Sequence, residues 1–588
     1  MSVSSVSARG GTESIPEAYK DTERDADSKQ SSGDDPTTGE LLEKTTSQLH
    51  ETLDAHEDTV KYEDEHGNLV MEHPRLPGIL YPDGRREIRP KDCWDKLGFS
   101  FPRWKRWGII LIISAIQISM NFNTSVYPNT LAMLPEEFDI GLQKARVSQL
   151  LFMIPYAIGC ELWAPLSEQW GRWPIMQISL GLVNIWQVLG GLAPNYASIC
   201  VARALGGLSS AGGSVTLGMV ADMWESNRHG FALAFLVLAS CIGTSIGPVF
   251  GGIMQDQLTW HWHFWIMLIF GGIVQAIHFV LCPETRITIL MDREAKRRRK
   301  TGEDDNIWGP TEIHPFSFKH IFVLMRRPYE MLLLEPIVTF LSLLSGFSDG
   351  LIFTFEESFS LVFPAVWGFG NTATGLAFLC INIAYFIGWF LHVIDVARQR
   401  HVINKYGDDS RHAERRMLLL MYLAPFEPIG LFGFAWTTWK SYKIPWIASL
   451  LFGACIALAN YSIYFASVDY MIASYGPFSA SACGGNAFSR DLMAGIAAMY
   501  AGPLYENIGG DLHLQWGSTI LGGISVLVVI PVYVFYVFGP QIRKRSKFAQ
   551  ALAANKDTTH VKDEDLDEDT RVLHDDINRA TSHYYDPK

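Results

Sequence analysis

The stretch Gly243-Thr-Ser-Ile-Gly247-Pro248-Val-Phe-Gly251-Gly252 lies inside a long apolar segment of the chain. Gly243, Gly247 and Gly251 are four residues apart and therefore share one face of a helix. Such a bare face lets a neighbouring helix approach closely in lipid, where van der Waals packing drives association. Pro248 removes one backbone hydrogen bond, which a membrane helix tolerates when its neighbours satisfy the freed carbonyl. The stretch predicts a bent membrane helix packed tightly against a partner.

Outward from this stretch, the chain alternates between apolar segments of about 20 residues, the length that crosses a membrane, and polar connections. Twelve candidate spans are found, at about 107–127, 147–166, 174–193, 197–219, 231–253, 264–282, 331–353, 372–394, 417–436, 446–467, 481–503 and 517–538. The longest internal connection separates the first six from the last six. The sequence therefore predicts an all-α integral membrane protein with two six-helix bundles around a central cavity.

Lysine and arginine are concentrated in the connections at one end of the predicted bundles. They precede span one, lie between spans two and three, and follow spans four, six, eight and twelve, whereas the opposite connections hold few of them, mainly Lys144, Arg146, Lys440 and Lys443. Cytoplasmic connections of membrane proteins carry this excess of positive charge. Both termini are therefore predicted to be cytoplasmic, which requires an even number of spans.

The composition divides the chain into five parts. Residues 1–100 and 541–588 are polar and acidic, and they account for much of the formal charge of -13. Tails of this kind bury too little apolar surface to offset the entropy of ordering, so we expect both to be disordered in the cytoplasm. Between them we expect a six-helix bundle over 101–283, a cytoplasmic loop over 284–330 and a second bundle over 331–540.

Several chemistries find no support in the sequence. The eight cysteines are scattered singly, so neither a disulfide framework nor a metal site is expected, and no cofactor is expected either. No G-x-x-x-x-G-K-[ST] phosphate loop or nucleophile elbow is found, which argues against an enzyme. The first ten residues lack the apolar core of a cleavable signal peptide. The acidic charge gives no indication of a nucleic-acid partner.

Six basic side chains lie in residues 293–300 of the loop after span six. They could lie against anionic lipid headgroups, which attract clusters of lysine and arginine. A solvated loop that obeys the positive-inside rule explains the same run, and we prefer that interpretation.

A second motif, Ser167-Glu168-Gln169-Trp170-Gly171-Arg172, follows span two. The Glu168 carboxylate is placed to accept hydrogen bonds from the positive N-terminal end of a facing helix. Gly171 permits a tight turn, and Arg172 is placed to pair with acids at neighbouring helix ends. We predict that Glu168, Gly171 and Arg172 form a charge latch that holds one closed state of the two bundles.

The string G-x-x-x-G-P-x-x-G-G in span five resembles the antiporter motif of the major facilitator superfamily, especially its drug:proton antiporters. An ordinary small-residue packing seam would explain the G-x-x-x-G pattern alone, but not the whole string at Gly243, Gly247, Pro248, Gly251 and Gly252. The resemblance implies the major facilitator fold and an antiport role for these five residues.

Other segments resemble the same superfamily. The motif around Glu168 is similar to the signature between its helices two and three, with Trp173 in the place of a usual second basic residue. Arg203, in R-x-x-x-G, matches the arginine of helix four, for which the resemblance implies a role in proton coupling. Further matches to fungal twelve-span antiporters of the multidrug and polyamine type are Trp260–Trp265, Pro283–Arg286, Glu335–Ile337 and Pro428–Phe432.

Ionisable groups within spans are the candidates for function, because lipid tolerates few of them. The proton-coupling and cavity candidates are Arg203, Glu161, Asp469, Arg490 and Asn486. Glu161 is our choice for the protonatable site, with Arg203 or Arg490 as the charge that tunes it. A structural pair or a solvated helix end explains any one of them better than a proton carrier does, whereas the set as a whole favours a function within the membrane. Further acids within or near spans are Asp349, Glu356, Glu357, Glu427 and Asp491.

The resemblance implies a proton-coupled secondary transporter, an efflux antiporter of small organic compounds such as drugs, polyamines or secondary metabolites. Its partners would be the substrate, the proton and the lipid bilayer, and it would act as a monomer in the plasma membrane. Three alternatives stay open: an importer or facilitator of the same superfamily, sugar porters included; a non-transporting receptor; and a vacuolar or other endomembrane location.

Overall fold

The computed structural model describes residues 60–63, 69–72, 79–80, 85–224, 229–313, 318–406, 412–439, 444–546 and 548. The chain divides into a small unit, residues 1–62 and 71–76, and a main unit of residues 63–70 and 77–588. Two strands, Val60–Glu63 (β1) and Leu69–Glu72 (β2), lie where these units alternate along the chain. Most of the two predicted tails lies outside the described residues, and everything below concerns the main unit.

Eight helices form the first half of the main unit. In chain order they are α1 (Arg103–Ser125), α2 (Leu134–Phe138), α3 (Leu142–Trp170), α4 (Arg172–Gly191), α5 (Tyr196–Ser210), α6 (Val215–Ala221), α7 (Gly230–Gln257) and α8 (Trp260–Leu281). Helices α5 and α6 are joined by the 3-10 turn Ala211–Ser214, so together they match the single predicted fourth span.

Helices α9 (Ile287–Thr301) and α10 (Pro310–Ile313) connect the first half to the second. The second half then contains α11 (Phe318–Leu334), α12 (Pro336–Trp367), α13 (Asn371–Ala377), α14 (Leu379–Tyr406), α15 (His412–Arg415), α16 (Leu418–Leu423), α17 (Phe426–Thr437), α18 (Trp446–Tyr475), α19 (Ser479–Asn507) and α20 (His513–Arg543). We call the end of the helices that carries the Lys- and Arg-rich connections the basic end, and the opposite one the far end.

Ten segments of the described chain are long and apolar enough to cross a membrane. The other two predicted spans, 174–193 and 481–503, are the helices α4 and α19, which are absent from those ten. Their polar side chains lower the hydropathy: α4 carries two glutamines and an asparagine, and α19 carries an asparagine, an arginine and an aspartate among small residues within positions 481–503. The molecule is a helical, multi-pass membrane protein, and twelve spans stay a prediction.

The glycine face of α7 packs against α1, which is the close helix partner that the sequence predicts. A Cβ atom at Gly243 would lie 2.8 Å from Asn121 Cβ, and one at Gly247 would lie 2.6 Å from the backbone carbonyl carbon of Ser125. At such distances a methyl group would overlap α1, so only the hydrogen atom of a glycine fits at these two positions. Gly252 instead faces Asn371 and Gly375 of the second half, so the motif contacts both halves.

Residues 85–100 fold against residues 287–313, and we call these two segments together the clasp. Strand β4 (Arg86–Glu87) pairs antiparallel with β3 (Ile79–Leu80) and parallel with β5 (Ile307–Trp308). A 3-10 helix, Pro90–Lys96, follows β4. The clasp has its own apolar core, formed by Ile88, Cys93, Leu97, Ile287, Met291, Ala295 and Ile307.

The clasp corrects two expectations. Residues 85–100 are folded, although the sequence analysis assigns them to a disordered tail, and the small sheet departs from an all-α architecture. The physical reason is that Ile88, Cys93 and Leu97 supply an apolar face, which α9 covers with Met291 and Ala295. Burial of this face offsets the entropy of ordering that would otherwise keep the segment unfolded.

The basic run of α9 is largely neutralised within the clasp. Arg297 pairs with Glu294 and Glu303, and Arg299 donates two hydrogen bonds of 2.8 and 2.7 Å to Glu312. The hydrogen bonds from Arg297 and Arg298, together with their charges, lower the pKa of Glu294 to about 2. Because these basic side chains are already paired, the structure favours the folded loop over a headgroup-binding patch.

Candidate functional site

A small cavity of about 20 Å³, with room for about one water molecule in this conformation, lies at the centre of the main unit, between the two halves. The first half lines it with Asn121 and Thr124 of α1, Met153 and Tyr156 of α3, and Ser240, Cys241 and Thr244 of α7. The second half contributes Asp349 and Phe353 of α12, Tyr464 of α18, and Arg490 and Asp491 of α19. One wall therefore offers neutral hydrogen-bonding groups and the other offers charges.

The charges of the second wall form one buried cluster. Arg490 Nε lies 3.8 Å from Asp349 Oδ2, and Arg490 Nη2 lies 3.4 Å from Asp491 Oδ1. The guanidinium also lies over the ring of Tyr464, 4.2 Å from its centroid, which holds it in place. Cys160 Sγ of the first half donates to Asp491 Oδ2 at 3.8 Å. Two carboxylates share one guanidinium, so the cluster has room for one further positive charge.

Arg203 lies in the first half, apart from the residues that line the cavity. It is 2% exposed, so it does not reach an interface with solvent. Its guanidinium lies between the rings of Tyr127 and Phe152, 3.9 and 4.0 Å from their centroids. It donates hydrogen bonds to the Asn123 carbonyl at 3.0 Å and to Gln149 Oε1 at 2.7 Å. Arg203 thus binds α1 to α3 through neutral groups.

Glu161 of α3 is buried at the interface between the halves, on the basic-end side of the cavity. It is 4% exposed, and within the described part of the chain its Oε1 has no hydrogen-bond partner. A Cβ atom at Gly484 of α19 would lie 2.7 Å from this oxygen, so the carboxylate packs against the backbone of the other half. Arg203 and Arg490, which the sequence analysis expects to tune it, have the other partners given above.

The remaining two candidates lie outside the cavity. Asn486 of α19 donates to Ser342 Oγ of α12 at 3.5 Å, a contact within the second half. Asp469 lies near the basic end of α18, where it accepts a hydrogen bond from Arg416 Nη1 at 2.6 Å. His229 Nε2 of the first half lies 3.6 Å from the same carboxylate. Sequence position alone does not reveal that these two side chains point away from the cavity.

The motif at Glu168 takes part in a network at the basic end of the first half. Arg172 Nε bonds Asp222 Oδ2 at 2.9 Å, and Arg286 Nη1 lies 3.5 Å from Asp222 Oδ1. Glu284 accepts hydrogen bonds from the backbone N–H groups of Arg172 at 2.9 Å and Trp173 at 3.2 Å. We call these residues, Arg172, Asp222, Glu284 and Arg286, the basic-end network.

The capping role that the sequence analysis gives to Glu168 is performed by Glu284. Glu168 contributes its backbone carbonyl, which accepts from Arg286 Nε at 3.3 Å. Gly171 has φ of 100°, a conformation that favours glycine, and it leaves the start of α4 without a side-chain cap. Asp222 and Glu284 were missed as members. The sequence does hold a signal for them. Gly171 cannot cap the start of α4 with a side chain, and Arg172 follows it, so acids from other segments are needed to bind the free N–H groups and the guanidinium.

The two halves are joined directly at the far end. Arg146 of α3, with 3% of its side chain exposed, pairs with Glu357 of α12 and lies 4.0 Å from Glu506 of α19. Gln143 donates to the Met499 carbonyl at 3.0 Å, across the same interface. Asp256 of α7 accepts hydrogen bonds from Asn371 Nδ2 at 2.9 Å and from the Thr372 N–H at 3.0 Å. We call the Arg146–Glu357 pair the far-end pair.

Comparison with known proteins gives a consistent result. A profile described as Major Facilitator Superfamily matches residues 111–498. The chain is 30% identical over 463 residues to the MFS-type transporter traF of Penicillium crustosum, which covers 78% of this chain and 92% of that protein. It is 30% identical over 462 residues to the cercosporin MFS transporter CTB4 of Cercospora nicotianae, with 77% and 88% covered.

A third relative, the citrinin biosynthesis cluster MFS transporter mrr1 of Monascus ruber, is 28% identical over 469 residues, with 78% of this chain and 92% of that protein covered. Among solved structures, the xylose transporter XylE from E. coli superposes with a TM-score of 0.51 at 15% identity, covering 73% of this chain and 97% of that one. This last likeness concerns the fold alone.

Proposed function

This chain belongs to the Major Facilitator Superfamily, and from that premise we propose that it is a proton-coupled antiporter that exports small organic compounds by alternating access. It is a membrane transporter and not an enzyme. In the proposed arrangement twelve spans form two six-helix bundles, both termini are cytoplasmic, and the protein acts as a monomer in the plasma membrane.

The observation that carries proton coupling is the buried cluster of Asp349, Arg490 and Asp491 in the cavity wall. Ionised groups are costly inside a membrane protein and mark ion or proton pathways there. Because two carboxylates face one guanidinium, binding of a proton neutralises the excess negative charge. A substrate that uses the same charges would compete with that proton, and such competition is the physical basis of antiport.

Export of secondary metabolites is the substrate class that the relatives support best. Two of them are named for cercosporin and for a citrinin biosynthesis cluster. In this conformation the cavity is closed around a space too small for such a solute. Its lining suits an oxygen-rich, partly aromatic one when the halves move apart, because Tyr156, Phe353 and Tyr464 offer ring contacts beside Asn121 and Thr244, which offer hydrogen bonds. Drugs and polyamines are the competing substrate classes, and the transport test below includes both.

Alternating access follows from the way contacts divide between the halves. We propose that Glu168, Gly171 and Arg172 act in the closed state of the basic end, with Asp222, Glu284 and Arg286 as their partners. Gly243 and Gly247 fix α7 to α1, and Gly251 packs against Asn129 just after α1, so that we expect this part of the first bundle to move as a unit. Pro248 and Gly252 instead contact Gly375 of the second bundle. Arg203, bound between α1 and α3, is proposed to keep the cavity wall rigid while the cluster titrates.

The test is transport by the purified full chain in proteoliposomes, with citrinin, spermidine, a cationic dye and an azole as probes. An imposed pH gradient is expected to drive at least one probe uphill, and a protonophore is expected to abolish that accumulation. Asp349→Asn should lose the gradient-driven component. Asp395→Asn, which removes a buried acid bound to Gln399 outside the cavity, should retain it. Flux that ignores the gradient would indicate a facilitator, and binding without flux would indicate a receptor.

A further inference from the structure

Helix α12 carries a second buried acid between the cavity and the far end. Glu356 lies seven residues after Asp349, two turns along the same face and about 10.5 Å farther along the axis. It is 7% exposed, and within the described residues its Oε1 has no hydrogen-bond partner. Glu357, the next residue, belongs to the far-end pair. The transport site described above makes no use of Glu356.

The groups around Glu356 are mostly acidic or neutral. Its own helix contributes Asp349 and Glu357, and α14 contributes Tyr385, whose hydroxyl donates to Asn460 Oδ1 of α18 at 3.1 Å. From α19, Tyr500 lies 3.4 Å from Thr354 Oγ1, and Tyr505 lies one further turn along. Arg146 of α3, a cation at the far end, is bound to the neighbouring Glu357. A carboxylate in this setting gains stability when it takes up a proton.

Glu161 occupies the corresponding position on the basic-end side of the cavity. It lies five residues after the cavity residue Tyr156 on α3, about 7.5 Å along the axis. Its own helix supplies Cys160, which bonds Asp491 of α19, and α11 supplies Tyr329. Like Glu356, it is buried with an oxygen that has no partner among the described residues.

The order of these groups along the axis follows from the directions of the helices. Helix α3 runs from the far end to the basic end, and α12 runs the opposite way. From the far end, the chain therefore presents the far-end pair, Glu356, the Asp349–Arg490–Asp491 cluster, and Glu161. Acids thus lie on both sides of the cavity, along the interface between the halves.

We propose that Glu356 and Glu161 are proton relays on opposite sides of the central cluster, with Glu356 exchanging protons with the far side and Glu161 with the basic-end side. In each step an O–H bond of one carboxylic acid breaks and an O–H bond forms on the next carboxylate, which leaves the donor ionised. Side-chain rotation together with a short chain of bridging waters spans the gaps between these levels. The inference rests on the proposed proton coupling and assigns it a route.

This route connects proton binding to the far-end pair. When the far end opens, Arg146 and Glu357 separate because they belong to different halves. Glu356 then gains access to the far side next to a carboxylate that has lost its cation. Repulsion between the two adjacent acids favours protonation of one of them, so opening and proton uptake support each other.

The test needs no substrate, because the proton itself is the probe. Spin labels are placed at Lys144→Cys and Asn507→Cys, two exposed far-end positions on opposite halves, in the full chain with its partly exposed native cysteines replaced by serine. Electron paramagnetic resonance spectroscopy then measures the distribution of distances between the two spin labels from pH 5 to pH 9. The wild-type background should change from closed to open populations with a measurable midpoint.

Glu356→Gln is expected to abolish this transition or to move its midpoint by about one pH unit or more, a tenfold change in proton affinity. Glu356→Asp, which keeps the acid, should retain a titration. Glu427→Gln is the matched control, because Glu427 is also a buried acid of the second half, but its neighbours are the hydroxyls of Ser348 and Ser525 and not the charged groups of the route. Its midpoint should stay at the wild-type value.

Three results would overturn the proposal: no pH response in the background, an unchanged midpoint in Glu356→Gln, or an equal shift in Glu427→Gln. Should Glu356→Gln fail to fold, the same measurement is made on Glu161→Gln with spin labels on the two halves at the basic end, and a midpoint equal to the wild-type value there overturns the route. Failure of the proposed function is a different outcome, namely no gradient-driven flux of any probe in proteoliposomes. Wild-type flux that follows the gradient, combined with a Glu356→Gln protein that titrates normally, would reject the relay alone.

Discussion

The two ends of the molecule use ion pairs in different ways. At the basic end, the network of Arg172, Asp222, Glu284 and Arg286 closes within the first half. The second half has its own network there, in which Arg543 binds Glu414 at 2.8 Å. At the far end, the pair of Arg146 and Glu357 joins one half to the other.

This difference separates structural charges from charges that report conformation. Bonds within a half persist when the halves move as units, whereas a bond between halves must break for that end to open. The 3.6 Å approach of His229 to Asp469 is the corresponding cross-half contact at the basic end. We therefore expect mutations within a half to change stability, and mutations across the halves to change the balance of conformations.

The largest effect is expected at Asp222, which is fully buried between two arginines. Asp222→Ala leaves Arg172 and Arg286 without their shared acid, and breaking a buried pair in this way costs about 3–5 kcal/mol. The measurement is unfolding in detergent by heat or denaturant. Glu506→Gln is the control, since Glu506 lies 4.0 Å from Arg146 and is 45% exposed. Equal stability of the two variants would contradict the distinction.

A second change within a half acts through volume instead of charge. A Cβ at Gly247 would lie 2.6 Å from the Ser125 carbonyl carbon, so Gly247→Ala forces α7 away from α1. Overpacking of this kind costs about 1–3 kcal/mol. Gly272→Ala, where no atom lies within 4 Å of the new methyl group, should be neutral in the same unfolding assay. A loss of stability in both variants would contradict the seam, because alanine has the higher helix propensity and the methyl group at residue 272 meets no neighbour.

The far-end pair should give a smaller effect of another kind. Glu357→Gln weakens the closed far end by ~1.4 kcal/mol, a tenfold change in the open population, while the unfolding midpoint stays nearly constant. The native thiol of Cys241 lines the cavity, so its alkylation by a thiol reagent applied from the far side should become about tenfold faster.

The charge-swapped double variant Arg146→Glu with Glu357→Arg restores the pair and should return this rate towards the wild-type value. A Cys241→Ser protein identifies background labelling. If Glu357→Gln lowers stability and leaves the alkylation rate unchanged, the pair is structural and the comparison between the ends is wrong.

The smallest effect is expected in the clasp. The pKa of Glu294 is lowered to about 2 by Arg297 and Arg298, so this acid stabilises the folded clasp above about pH 4.5, the usual range of a glutamate pKa, and the contribution is lost as the pH falls towards 2. Glu294→Gln should lack this acid-dependent part and should be cleaved about twofold faster by protease at neutral pH. Transport is the control measurement, and a large loss of transport would mean that the clasp acts on the cavity.

The sequence predicted the superfamily, the helical membrane fold and the close partner of the Gly243–Gly251 face, because each depends on local periodicity or on an extended motif. It selected Glu168 where Glu284 caps α4, because a cap can come from any acid that folding brings to the helix start. It placed Asp469 and Asn486 among cavity candidates, because apolar context reveals burial but not direction. Ten segments of the described chain qualify as spans, since the polar side chains of α4 and α19 lower the hydropathy of these two helices.

The clasp also sets an order for biosynthesis. Its two segments lie on either side of the first bundle in the chain, so the strand at Arg86–Glu87 lacks its parallel partner until Ile307–Trp308 leaves the ribosome. By that time helices α1 to α8 have all been synthesised. Closing the clasp therefore marks the moment when the first half is complete, before α12 begins to insert. A chain stalled in the first bundle would expose the apolar face of Ile88, Cys93 and Leu97, a feature by which chaperones could distinguish unfinished molecules from finished ones.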